Sequence, residues 1–152
     1  MKTFYQNKYL VDVFASIMFF TRIPINWSYF SNTAPDLTRA AWSFPLVGFL
    51  IGVLSGIFGE FLISINVSSF LSCSIAIAIS VLITGAFHED GLADMADGFG
   101  AGGSPKKINE IMHDSRLGTY GVTALTMGLL IRIGLVVSLV ELGYSFTLIM
   151  GI

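Results

Sequence analysis

The chain has 152 residues, 54% of them hydrophobic and 12% charged, with a formal net charge of -2 and a mean hydropathy of +0.78. Soluble domains carry about a quarter charged residues. This chain lacks the charge to cover a globular surface, so lipid is the solvent for much of it, and its near-neutral balance argues against nucleic acid as a partner.

Residues 9–20 form a short amphipathic segment interrupted by Asp12. Without a small-residue cleavage site it does not read as a secretory signal, so the later apolar runs are permanent spans. At about a dozen residues it suits a helix lying at the interface or packing on a bundle. Thr21-Arg22-Ile23-Pro24 ends it, and Trp27, Tyr29 and Phe30 follow as headgroup-depth aromatics or plain loop anchors.

The first span is read at residues 41–65, with Pro45 in its first turn. Gly48, Gly52, Gly56 and Gly59 lie on one face, which lets another helix approach closely. A polar turn at residues 66–69 leads to a second, uncharged span at 70–87. Cys73 lies within it, alone and therefore without a disulfide, as a small core or lipid-facing residue.

His88-Glu89-Asp90-Gly91-Leu92-Ala93-Asp94-Met95-Ala96-Asp97-Gly98 follows directly. On an α-helix Asp90, Asp94 and Asp97 share a stripe roughly 60° wide. Three like charges beside a low-dielectric membrane repel one another, so something positive is expected against them. Gly91 within the stripe costs about 1 kcal/mol of helix stability, which suits close approach by a substrate or another backbone.

The glycine-rich residues 98–105 are expected to break regular structure. Ser104 then caps a short helix that has Pro105 in its first position and ends near Met112. A third span at residues 119–142 carries Arg132 near its middle, where a cation needs a partner or water. A substrate phosphate and a carboxylate are both open as that partner. Residues 143–152 begin a further partial span.

Lys2, Lys8, Arg22 and Arg39 precede the first span, the turn after it has no Lys or Arg, and Lys106, Lys107 and Arg116 follow the second. The positive-inside rule therefore puts the N-terminus and the acidic loop in the cytoplasm. The expected fold is all-α: one integral membrane domain over residues 1–152, a multi-pass bundle with an interfacial N-terminal helix and a cytoplasmic acidic, Gly-rich loop.

Asp94 and Asp97 offer hard oxygen ligands one helical turn apart, and Asp114 offers another from the next membrane element. Carboxylates without cysteine or clustered histidine suit Mg²⁺ or Mn²⁺. Such a site binds phosphates through the metal, with Arg116, Lys106 and Lys107 compensating the remaining charge. A solvated acidic helix end is the plain alternative. For His88 and His113 a hydrogen-bonded structural role competes with acid–base chemistry, and Glu89 is either a supporting residue or simply solvated. Glu60 and Glu141, near span ends, read as interfacial.

Phe87 to Gly98, followed by Glu110-Ile111-Met112-His113-Asp114-Ser115-Arg116-Leu117-Gly118-Thr119-Tyr120-Gly121, closely resembles the cobalamin synthase family, also called adenosylcobinamide-GDP ribazoletransferase. Phe19-Phe20-Thr21-Arg22-Ile23-Pro24 and Phe44-Pro45-Leu46-Val47-Gly48-Phe49-Leu50-Ile51-Gly52 match it as well. The resemblance implies a multi-pass enzyme of the bacterial inner membrane. Such an enzyme joins adenosylcobinamide-GDP to α-ribazole or its 5′-phosphate and releases GMP with Mg²⁺. By the same resemblance Asp94, Asp97 and Asp114 hold the metal, Asp90 is a ligand or base, and Arg116, Ser115, Lys106, Lys107 and Gly91 face substrate.

Candidate partners are a homo-oligomer or other cobalamin-pathway membrane proteins. Family members run on through further membrane helices, so these residues are expected to be the N-terminal portion of the family's length. Asp94-x-x-Asp97-Gly98 with a later Asp114 also resembles, in part, the CDP-alcohol phosphotransferases. The competing classes are a cation transporter, with the stripe as ion site, and a non-catalytic assembly subunit packed through the glycine face.

Overall fold

In the computed structural model, which describes residues 7–30 and 33–152, every regular element is helical. Lys2, one of the orienting cations, lies outside the described residues. Helix α1 (Lys8–Phe20) is followed by a short 3₁₀ turn at Trp27–Tyr29. Helix α2 (Leu37–Ala40) then passes through a second 3₁₀ turn, Ala41–Ser43, into α3 (Phe44–Ser64). Helices α4 (Ser69–Thr84), α5 (Phe87–Ala101), α6 (Pro105–Met112), α7 (Thr119–Glu141) and α8 (Phe146–Gly151) complete the chain.

Leu37–Ser64 and Thr119–Glu141 are each long and apolar enough to cross a membrane, and α4 with α5 passes the same test as a broken pair bent by 87°. These helices lie where the apolar runs predict spans, with one change of shape. The second span stops at Thr84 instead of Phe87, because Gly85 (φ +66°) caps α4 in the left-handed conformation and Ala86 (φ +61°) repeats it. Two successive left-handed residues turn the chain through a right angle, and the acidic segment leaves as a separate helix. Residues 98–101 also depart from expectation, since they remain helical and the break comes at Gly102 (φ +65°) and Gly103 (φ +112°). Gly98 lies against the Met112 side chain of α6 and Gly100 against the Tyr120 ring of α7. Packing at these two positions outweighs the roughly 1 kcal/mol glycine penalty per residue.

Helix α1 docks through a buried polar joint. Asp12, 2% exposed, accepts from Arg39 Nε at 2.7 Å and Trp42 Nε1 at 3.1 Å, and Ser16 Oγ meets Ser43 Oγ at 2.7 Å. The residue that interrupts the first apolar stretch is therefore what fastens it to the α2–α3 corner. Burial works to raise the Asp12 pKa, but the hydrogen bonds from Arg39 and Trp42 and the Arg39 charge prevail and hold it below its ordinary value.

The glycine face of α3 receives α8. A Cβ on Gly56 would lie 2.6 Å from Thr147 Cα, a Cβ on Gly52 would collide with the Met150 backbone, and Gly59 faces the Phe146 ring. Glu60 Oε1 holds the start of α8, accepting from Ser145 Oγ at 2.7 Å and Thr147 N at 3.1 Å. The residues read as a partial span thus turn back along α3. Buried Cys73, Ala76, Ile77, Val136 and Phe146 form the core where α4, α7 and α8 meet.

Replacing Gly56 with leucine should push α8 off α3 and cost about 1–3 kcal/mol through overpacking, read as a lowered thermal midpoint. Because the Asp12 pKa falls on folding, its stabilisation is complete above the ordinary carboxylate value near about 4 and is lost as pH drops through the lowered one. Asp12→Asn should lower stability at neutral pH and flatten the acid limb of a pH titration followed by Trp42 fluorescence.

Candidate active site at the acidic helix

The corner at residues 85–86 sets Glu89 and Asp90 in the first turn of α5, where the helix dipole favours anions. Asp90 is exposed, Asp94 half-buried and Asp97 buried, so the stripe enters the protein progressively along α5. The expected positive partner is present, and for Asp97 it is the start of a helix. Asp97 Oδ2 accepts from Gly118 N at 2.7 Å and Oδ1 from Gly121 N at 2.8 Å. Helix α7 has no capping side chain of its own at Gly118. Asp97 satisfies its orphan N–H groups from across the bundle. A Cβ on either glycine would collide with that carboxylate.

Asp90 and Asp94 open into a cavity of about 510 Å³ shared with Glu89, Asp114, Ser115 and Arg116. Asp114 is gripped by Arg116, with Nε at 3.1 and 3.0 Å from the two carboxylate oxygens and a terminal guanidinium nitrogen at 2.6 Å. That guanidinium, followed by the Arg116 backbone N–H, holds the Asp114 carboxyl below its usual pKa. Arg116 itself is 86% exposed and free to turn outward.

Arg132 meets a carboxylate: its guanidinium lies 3.7 Å from Glu89 Oε1 and donates to Ser80 Oγ at 3.3 Å. Glu89, expected to be a supporting residue or simply solvated, is that partner. The signal that finds it is the intramembrane arginine, which needs a partner and has this acid on the helix packed beside its own. His88 stacks on Phe20, with ring centroids 5.9 Å apart, and His113 Nδ1 lies 2.8 Å from the Asn109 carbonyl oxygen, so both have structural contacts.

Lys106 and Lys107 are exposed on the first turn of α6 and do not line the acidic cavity. Gly91 is also outside it, and no other group comes within 4 Å of where its Cβ would stand. Among the described residues, no three His, Cys, Asp or Glu side chains form a ready-made metal group. The donors still suit Mg²⁺, which keeps several waters and takes one or two carboxylates plus substrate phosphates. Asp90, Asp94 and Asp114 are of that type and face one cavity.

Asp97→Asn should remove one acceptor and bring an amide N–H against a backbone donor. A loss of about 1–3 kcal/mol is expected from a buried polar group left unmatched, measured as a lower midpoint in thermal or denaturant unfolding.

The cobalamin-5-phosphate synthase family model matches residues 12–152. An adenosylcobinamide-GDP ribazoletransferase of Azorhizobium caulinodans is 40% identical over 138 residues, covering 90% of this chain and 52% of the relative. The proteins of that name from Sinorhizobium medicae and Clostridium botulinum are 43% and 40% identical, covering 80% and 93% of this chain and 47% and 56% of themselves. The chain spans about half the length of the curated relatives it matches. No solved structure matches it. With the family match running from α1 to the last residue, this chain belongs to the cobalamin-5-phosphate synthase family.

Proposed function

We propose that the acidic cavity is the phosphoryl-transfer site of an adenosylcobinamide-GDP ribazoletransferase, and that it takes the diphosphate of adenosylcobinamide-GDP together with Mg²⁺. One observation carries this reading: Asp90, Asp94, Asp114 and Arg116 face one cavity of about 510 Å³ at the ends of membrane helices. Asp94 and Asp114 are the ligands assigned to the metal, with Asp90 as a further ligand or as base. Asp97 would complete that set from the helix end, each of its oxygens keeping a lone pair beside the one backbone N–H that it accepts. When bound, Mg²⁺ supplies neutralisation of the diphosphate charge.

The chain's own groups do the rest. Arg116, whose side chain is largely exposed, would turn its guanidinium to a non-bridging phosphate oxygen, a bidentate contact for which Arg is suited, and Asp114 would then be one of the carboxylates available to hold the cation. The hydroxyl oxygen of α-ribazole, or of its 5′-phosphate, attacks the phosphorus on the cobinamide side. Asp90 accepts the hydroxyl proton, and the bond to the second phosphate breaks so that GMP leaves. Ser115 lines the same cavity and would donate its hydroxyl to a phosphate oxygen.

Lys8, Arg22 and Arg39 before α3, and Lys106, Lys107 and Arg116 after α5, support a cytoplasmic acidic face in the bacterial inner membrane. Nucleotide substrates are found on that side.

Membranes containing this chain, incubated with adenosylcobinamide-GDP, α-ribazole 5′-phosphate and Mg²⁺, should release GMP. Asp94→Asn should lower that release by about 10- to 100-fold or more, the range for disturbing a metal's surroundings, while leaving the thermal midpoint unchanged. Full turnover in Asp94→Asn, or cation flux without GMP release, would overturn the reading.

A further inference from the structure

A second cavity, of about 370 Å³, lies among α1, α3, α4, α5, α7 and α8, within the size range of small-molecule sites. Phe20, Phe44, Ile51, Val81 and Met150 give it apolar walls, and Gly48 leaves one wall open. Glu89 lines both this cavity and the acidic one, so the two meet at a single side chain.

The polar groups of the second cavity are largely spoken for. Ser80 Oγ donates to the Ile77 carbonyl at 2.7 Å and Thr84 Oγ1 to the Val81 carbonyl at 3.1 Å. Arg132 is held between Glu89 and Ser80. His88 lines the cavity as well, through the ring stacked on Phe20, and Glu89 Oε2 is a buried oxygen without a hydrogen-bond partner at the junction. The Phe20–His88 stack, 5° from parallel, supplies a flat aromatic boundary.

From these features we infer that the second cavity seats an uncharged planar heteroaromatic ring, the benzimidazole of the ribazole acceptor, with its ribose directed past Glu89 toward the acidic cavity. This rests on the phosphotransferase reading above. A guanine could offer its N–H groups to Glu89 Oε2, but its carbonyl and ring-nitrogen acceptors would then face apolar walls and hydroxyls whose protons are already given to backbone carbonyls. A benzimidazole has almost no such groups. A ribose hydroxyl arriving at the junction would give Glu89 Oε2 the donor it lacks. A lipid chain would suit the apolar walls but would leave Glu89 and Arg132 unserved.

The test is binding of α-ribazole to the purified full chain in nanodiscs, followed by the fluorescence of its benzimidazole, with Mn²⁺ binding followed separately. Gly48→Leu fills the cavity from a position whose Cβ meets nothing within 4 Å, and Gly134→Leu is an equally open control outside it. Gly48→Leu should weaken α-ribazole binding at least tenfold, and Phe20→Leu several-fold, with Gly134→Leu at the wild-type value. Asp94→Asn should lose Mn²⁺ binding and keep α-ribazole.

Absence of α-ribazole binding in the wild type, unchanged binding in both Gly48→Leu and Phe20→Leu, or displacement by GMP or oleate but not by benzimidazole would overturn the inference. Loss of Mn²⁺ in Asp94→Asn beside unchanged ribazole binding in the two cavity variants would sink the ring site alone. Ribazole binding lost in Gly48→Leu, with Mn²⁺ retained in Asp94→Asn, would support the ring site and count against the metal assignment.

Discussion

Asp97 and the start of α7 are joined by two hydrogen bonds that solve two problems together. A helix that begins at glycine exposes backbone N–H groups that its own first residue has no side chain to satisfy. A buried carboxylate close to an apolar environment needs donors or a positive potential. Each supplies what the other lacks, at 2.7 and 2.8 Å, and the contact is made by residues 21 and 24 apart in the chain. With α5 pinned at that point, Asp94 and Asp90 fall one and two turns back along the same helix, where the Asp114–Arg116 loop lines the same cavity.

The like-charge repulsion built into the acidic segment is relieved by dispersal. Asp97 goes to a helix end, Glu89 to Arg132 and Asp114 to Arg116. Among the described residues Asp90 and Asp94 have no ion-pair partner, and both face the cavity. The arrangement thus leaves two carboxylates over, while Asp114 beside them is held by Arg116.

Much of the helical layout can be read directly from the residues. The apolar runs that became α3 and α7, the Ser104–Pro105 start of α6 and the close-packing glycine face of α3 all follow from local pattern. The right-angle corner does not, because hydrophobic periodicity records which face is apolar and is blind to a change in axis direction. Gly98 and Gly100 look like breakers until Met112 and Tyr120 are seen against them. At the site, the carboxylate stripe and its facing Asp114 are legible as chemistry. The division of labour among the aspartates is not, since it is decided by which helix end lies alongside α5. Arg132 shows that a costly residue announces a partner without naming it.

The corner between α4 and α5 also acts as a ruler. Residues 85 and 86 both take left-handed backbone angles, so the joint is a fixed elbow. The height of the acidic face above the bundle core is then set by the number of residues in α4. Adding or deleting one residue there would raise or lower the face by about 1.5 Å and rotate it by about 100°, carrying Asp97 away from Gly118. A change of length is therefore far less disruptive in the glycine-lined bend after α5 than before it. The carboxylates keep their depth because the chain counts it out in helical turns.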